Sequence, residues 1–282
     1  MLYECHGHII LDGISYAEAV ARHENAPCED FVRRNFENCV KQGIGFYRDG
    51  GDKHMVSVFA KSIAQEYGID YRTPAFIIHK KGYYGHMFGR AFEDLAEFKG
   101  LVCEAKRLGA DFIKLTASGM LDFAGDGGVM GPFMEARELN EMVNIASGEG
   151  LRVMIHVNGA DNIKRAVEAG VSSIEHGFWA DDEAAAAIAE AGVVWVPTRA
   201  AVANHIGTGK FDDSVLREII DVQKRALKTA YSMGALIASG SDSGANMVFP
   251  DRGALDENRL LAEIGIDPKR GNERITEIFK VT

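Results

Sequence analysis

The chain predicts an α/β protein of the (β/α)8 TIM-barrel class, and three observations carry the prediction. Short apolar or β-branched runs alternate with amphipathic helical segments along the whole length, the pattern of repeated β/α units around a parallel sheet. Eight strand runs can be counted, and right-handed crossovers close a set of eight into a barrel more readily than they extend an open sheet. No Gly-x-Gly-x-x-Gly fingerprint follows the first strand, which argues against a dinucleotide-binding open sheet.

In order, the strands read LYECHGHI from Leu2, GFYRDG from Gly45, PAFIIHK from Pro74, DFIKLTAS from Asp111, RVMIHV from Arg152, SSIEHG from Ser172, VVWVPT from Val193 and LIASGSD from Leu236. Helical patterns lie between them. EDFVRRNFENCVKQG, EARELNEMVNIASGEG and ADDEAAAAIAEAG each end on a glycine, which enters the left-handed conformation of a helix C-terminus without strain. The last helix is expected to begin at Asp267, whose carboxylate can cap it, with Pro268 at the first helical position, where no N–H is needed. Neither a composition break, a low-complexity linker nor a sequence repeat marks a second domain, so residues 1–282 are read as one barrel.

Bulk properties narrow the partners. A 46% apolar fraction beside 26% charged residues is ordinary for a chain with a large core. With 31 basic and 41 acidic residues the formal charge is -10, which argues against nucleic acid as a ligand. There is no run of about 18 apolar residues and no basic-then-apolar leader. A membrane partner is therefore not expected, and a cytoplasmic location is. Cys5, Cys28, Cys39 and Cys103 lack the paired spacing of a zinc ribbon or redox motif and read as reduced thiols. Cys5 alternates with its histidine neighbours along the strand and should point away from them.

A barrel of this class places its functional groups at the C-terminal ends of the strands. Ligand-type residues fall there: His6 and His8 on the first strand, Lys114 in the fourth, His156 in the fifth, His176 in the sixth and Asp242 at the end of the eighth. His6 and His8 stand two apart on extended chain, so both rings project to one side and can converge on one ion. Either of the other two histidines, taken alone, would read as a hydrogen-bonded core residue. Ligand-type residues at the ends of five strands point instead to a metal centre. Lys114, in FIKLTASG, would be costly to bury as an unpaired cation. An ion pair, snorkelling to the mouth or a Schiff base would each resolve that cost. So would reaction of its neutral amine with carbon dioxide, giving a carbamate that bridges two metals.

Taken together, ECHGHIILDG, RDGGD, GADFIKLTASG, MIHVNGADNIKRAVEAGVSSIEHG, VPT and ASGSDSG resemble the amidohydrolase superfamily, in its imidazolonepropionase-related and prolidase-like branch. The resemblance covers nearly the whole chain. It implies a metal-dependent hydrolase with two divalent metals, zinc by default and manganese, iron, cobalt or nickel as alternatives. His6, His8 and Asp242 would hold one metal, His156 and His176 the other, and Lys114 as its carbamate, formed with carbon dioxide, would bridge them. A metal-bridging hydroxide would attack an amide-type C–N bond of an N-acyl amino acid, dipeptide or cyclic amide, with Asp242 as general base and then acid. The same binuclear centre could instead serve a lactone, ester or phosphoester. One-metal deamination is disfavoured by Lys114, and an inactive metal-binding barrel by Asp242. RDGGD, around Asp49, has no ligand role and is read as a turn supporting the first strand. Relatives commonly add a small β-sandwich; either the barrel here stands without one or the sequence is part of a longer polypeptide.

Substrate choice is expected in the loops above the barrel. HKKGYYGHMFGRAF from His79 reads as a mobile lid, with Tyr84, His86 and Arg90 as candidate contacts. Arg199 and His205 after the seventh strand, and Asn246 after Asp242, complete the set. The expected partner is a small molecule, and contact from Arg90 or Arg199 would suit a carboxylate on it. The reading allows a homo-oligomer.

Overall fold

A computed structural model describes residues 1–280. Its strands are β1 (Leu2–Gly7), β2 (Ile44–Asp49), β3 (Asp70–Arg72), β4 (Ile77–Lys80), β5 (Gly89–Phe92), β6 (Ile113–Thr116), β7 (Val153–Val157), β8 (Ser173–His176), β9 (Val194–Val196) and β10 (Leu236–Ile237). All of these strands pair in parallel, in the orders β1-β2-β3 and β10-β9-β8-β7-β6-β4-β5. Helices connect them on the outside, as the alternating pattern predicts. Backbone hydrogen bonds lace the two sheets at both seams. Cys5 N donates to Ser239 O (2.9 Å) and Asp242 N to His6 O (2.7 Å), while Asp111 N donates to Thr73 O (2.8 Å). The strand order is that of a (β/α)8 barrel.

Two departures from the sequence reading concern the third β/α unit. The strand expected from Pro74 forms only from Ile77, as β4 against β6; a separate piece, β3, pairs with β2 ahead of it, and the stretch between them includes Ala75 at a left-handed φ of 65°. The segment read as a free lid also ends in β5, paired with β4 from Ile77↔Gly89 to Lys80↔Phe92. Gly89 permits this approach, since a Cβ there would lie 2.8 Å from the Gly85 carbonyl oxygen. Only residues 81–88 therefore arch over the mouth as loop.

The helix Glu29–Gln42 shows how sequence builds the outer layer. Glu29 and Asp30 suit the positive end of the helix dipole, Phe31, Val32, Phe36 and Cys39 form its buried face, and Gly43 ends it at φ 78°. Truncating the fully buried Phe36 to alanine would cost about 3–5 kcal/mol. The last helix, Lys269–Ile278, opens with Asp267 Oδ1 accepting from Lys269 N (3.0 Å), one residue later than expected. Ile275 and Phe279 pack with Phe46, Phe112 and Met154 in one buried cluster, with the Phe279 and Phe112 rings 5.1 Å apart. Among the described residues no helix is long and apolar enough to cross a membrane.

Candidate functional site

The ligand-type residues from five strands meet at one place. His8 Nε2 and His6 Nε2 lie 3.4 and 3.7 Å from Asp242 Oδ1, and one ligand atom from each of the three falls within 4.8 Å of the others. Lys114 Nζ is 3.5 Å from His6 Nε2. The His176 ring stands 4.8 Å from that of His6 and 4.4 Å from that of His156. His6, Lys114, His156 and His176 are 1, 2, 6 and 6% exposed, so whatever completes them must come from within the site.

Backbone geometry at the strand ends makes the convergence. His176, Thr198 and Asp242 hold left-handed φ values of 70°, 47° and 64°, unusual for residues other than glycine. The φ of 70° at His176 breaks the alternation of β8, so Glu175 and His176 both reach the site although they are adjacent. RDGGD acts as the expected support for the first strand. Asp49 accepts from Ile9 N (2.8 Å) and Gly51 N (2.6 Å), and Gly50 leaves room for the His8 ring, whose Cε1 would be 2.2 Å from an added Cβ.

Second partners set the orientation of three imidazoles. His6 Nδ1 donates to Glu175 Oε2 (2.7 Å), since a carboxylate can only accept, leaving the Nε2 lone pair facing Asp242 and Lys114. By the same logic His156 Nε2 donates to Gly119 O (3.1 Å), which leaves its Nδ1 as an acceptor. His176 Nδ1 bonds to Thr198 Oγ1 (2.7 Å). Glu175 is itself held by Arg48 Nη2 (2.8 and 2.9 Å), and Arg48 also donates to Cys5 O and Ser173 Oγ. Sequence reading missed Arg48, Glu175 and Thr198. The available signal was an arginine in GFYRDG and a glutamate in SSIEHG, both inside expected barrel strands, where a buried charge requires a partner.

The electrostatics favour neutral nitrogen ligands. Burial, with the Lys114 cation adding to it, pushes His8 and His156 down to about 3, and burial likewise holds His6 and His176 well below the usual range. It lowers the Lys114 amine towards neutrality, against the pull of Glu175. His8 Nδ1 is buried without a hydrogen-bond partner. Neutral imidazoles presenting lone pairs beside a carboxylate, with buried polar atoms unsatisfied, form a donor set that fits a divalent cation.

A cavity of about 290 Å³ opens above this cluster. Tyr84, His86, His205 and Asn246 line it as expected, and Tyr84 lies 4.8 Å from the His156 ring. Arg90 and Arg199 do not line it. Arg90 on β5 is drawn outward by Glu104 (2.6 Å) and packs over Phe76, while Arg199 is buried against Gln223 (3.2 Å) behind the short helix Ala200–Ala203. In each case a partner on a neighbouring helix captures the guanidinium, and sequence spacing does not show which helix that will be.

Comparison with known proteins gives the same frame. Ochratoxinase of Aspergillus niger is 27% identical over 211 residues, covering 73% of this chain and 42% of that protein. An uncharacterised protein of Mycobacterium tuberculosis is 26% identical over 186 residues, covering 64% of this chain and 49% of its own. The chain thus spans less than half the length of these curated relatives. Among solved structures, a Xaa-Pro dipeptidase with bound methionine superposes with TM-score 0.80 at 23% identity, over 99% of this chain and 74% of that one. The A. niger ochratoxinase structure superposes with TM-score 0.75 at 21% identity, over 97% and 68%. These likenesses establish the fold. The amidohydrolase family profile matches from residue 21 to residue 281, and the chain belongs to that family.

Proposed function

We propose that this protein is a metal-dependent hydrolase of amide-type C–N bonds, acting on an N-acyl amino acid, dipeptide or cyclic amide. The carrying observation is the convergence of His6, His8, His156, His176, Lys114 and Asp242 beneath one cavity. A relative named ochratoxinase and a structural neighbour named as a dipeptidase support the reading, since the substrate of a dipeptidase is an amide.

In this reading His6, His8 and Asp242 would hold one ion and His156 and His176 a second, with Lys114 as its carbamate contributing a further ligand. Imidazole nitrogen and carboxylate oxygen suit zinc, with other first-row divalent metals as alternatives. Bound there, the metals would supply the Lewis acidity that activates water and polarises the scissile carbonyl. Lys114 favours the carbamate over an ion pair: among the described residues no carboxylate oxygen lies within 4.0 Å of its amine, whose hydrogen-bonding contact is His6. Asp242 takes the proton from the attacking water on a carboxylate oxygen and returns it to the leaving nitrogen. Glu175 and Arg48 hold the His6 ring so that Nε2 keeps its aim, and Tyr84 over His156 limits access of bulk water.

Elemental analysis of metal-replete protein prepared without an affinity tag, followed by a panel of N-acyl amino acids, dipeptides and lactones, tests the reading. About two ions per chain and hydrolysis of amides are expected. Lack of bound metal, or turnover of lactones without amides, would sink it.

A further inference from the structure

The cavity has two apolar walls that belong to separate packing clusters. Leu11, Tyr16, Ile77 and Phe88 form the first, on the side of His8, whose ring lies 6.1 Å from Phe88. The second, on the side of His176, includes Phe178, stacked 6.4 Å from that ring, with Leu121, Phe123 and Phe211. Here Phe123, His205 and Phe211 form an aromatic triad with centroids 5.1 to 5.7 Å apart. The histidine cluster therefore lies between the walls, and a bond cleaved over it would carry one group onto each.

Charge distinguishes the second wall. Lys114 and Asp242 belong to the histidine cluster, and the one other lysine, arginine or acid among the described residues lining the cavity is Lys210, beside Phe211. Its amine donates to Asn246 Oδ1 (2.6 Å) and stands 5.2 Å from the Phe211 ring centroid. Asn246 in turn donates from Nδ2 to Ile14 O (2.8 Å), which fixes its oxygen towards the lysine. Lys210 thus reaches across the mouth from the loop at 204–212 to the loop after β10. Its partner is a neutral amide, and among the described residues no carboxylate lies within 4.0 Å of it, so its charge is not neutralised. Buried at 3% exposure within the triad, His205 has a partnerless Nδ1 as a further polar group of this wall.

We propose that Lys210 is the specificity residue that reads a free carboxylate on the substrate. The substrate class is then an N-acyl amino acid with an apolar side chain. Its carboxylate exchanges with Asn246 at Lys210, its side chain rests on the Phe123–Phe211 wall, and its acyl group faces Tyr16 and Phe88. An ammonium held by a neutral amide gains a charge-assisted hydrogen bond when a carboxylate arrives. This rests on the amide-hydrolase reading but assigns a role that the metal cluster does not require.

The test compares N-benzoyl-L-phenylalanine with its primary carboxamide on metal-loaded wild type, Lys210→Met and Lys210→Arg, following benzoate release. Wild type should prefer the acid in kcat/KM by about tenfold or more. Lys210→Met should bring the ratio close to one, mainly by raising KM for the acid, and Lys210→Arg should preserve it. A Lys210→Met variant that keeps the wild-type ratio overturns the proposal while leaving amide hydrolysis standing. If neither compound is cleaved, the amide-hydrolase reading is judged by the wider substrate panel and the present proposal by binding. Equilibrium dialysis of both compounds against metal-loaded wild type and Lys210→Met then decides the carboxylate role: selective retention of the acid, lost in the variant, supports it, and equal or no retention overturns it. Lys210 is exposed, so an unchanged melting temperature is the expected folding control.

Discussion

Two buried charged residues on neighbouring layers of the same barrel have opposite surroundings. Arg48 is fully buried and spends its guanidinium on Cys5 O, Ser173 Oγ and both oxygens of Glu175. Lys114, equally remote from solvent at 2% exposure, has a single long contact with His6. Where a buried charge is fully satisfied, its role is explained by the fold; where it is not, as at Lys114, the proposed carbamate would complete it. Glu175 joins the two layers, accepting from Arg48 below and from His6 above.

The largest effect expected is at the unsatisfied layer. Asp242→Asn should lower turnover on a cleaved substrate by about 10³-fold or more, with the melting temperature little changed, because a proton acceptor is lost and packing is not. Near-normal turnover would remove Asp242 from the proton path.

Exchanging the test between the layers sharpens the contrast. Arg48→Met strands the Glu175 carboxylate and should cost about 3–5 kcal/mol in denaturant unfolding, with or without metal. Lys114→Ala deletes a poorly partnered group, so the metal-free protein should lose little stability while metal occupancy and activity fall. Added formate or acetate should then restore part of both by filling the space of the carbamate. Equal destabilisation by the two variants, with no carboxylate rescue, would make Lys114 structural and erase the distinction.

At the residue that links the layers two effects should combine, because neutralising Glu175 also leaves the buried Arg48 without its counter-ion and lowers stability. Glu175→Gln preserves shape but weakens the acceptor for His6 Nδ1, and metal affinity should fall about 10–100-fold in chelator competition. An unchanged affinity would mean that His6 keeps its aim without the carboxylate.

Glu257 gives the mildest case, a buried acid satisfied on one oxygen. Its Oε2 accepts from Ala200 N (2.8 Å) at the start of a short helix, while Oε1 has no partner. Burial raises its carboxyl to about 7 from an ordinary 4.5. The folded state therefore holds a proton that the unfolded chain has released. The stability tied to that proton is present below about pH 4.5 and is lost as pH rises through about 7. Glu257→Gln should flatten the stability profile across that window. Parallel profiles for the two proteins would show that the acid stays ionised when folded.

Legibility followed the range of the physics. The helix Glu29–Gln42 and its Gly43 stop were readable because periodicity and capping act within a few residues. His6 and His8 were readable as a pair because a strand projects alternate residues to one side. The same rule hid Glu175, since it assigns adjacent residues to opposite faces and the left-handed turn at His176 suspends it. The separate β3 piece, the start of β4 beyond Ala75 and the pairing of β5 with β4 were equally hidden, because all depend on backbone from distant segments.

Residue order thus determined on its own the α/β alternation, helix ends such as the Gly43 stop and the set of ligand-type residues near the strand ends, all consequences of local backbone geometry and of which side chains tolerate burial. Tertiary structure alone decided which cations face the cavity. Arg90 and Arg199 were captured by Glu104 and Gln223 on outer helices, whereas Lys210, unremarkable in its loop, came to stand over the mouth beside Asn246. A long charged side chain goes to the nearest partner that satisfies it, and which partner is nearest is settled only when segments far apart in sequence pack together.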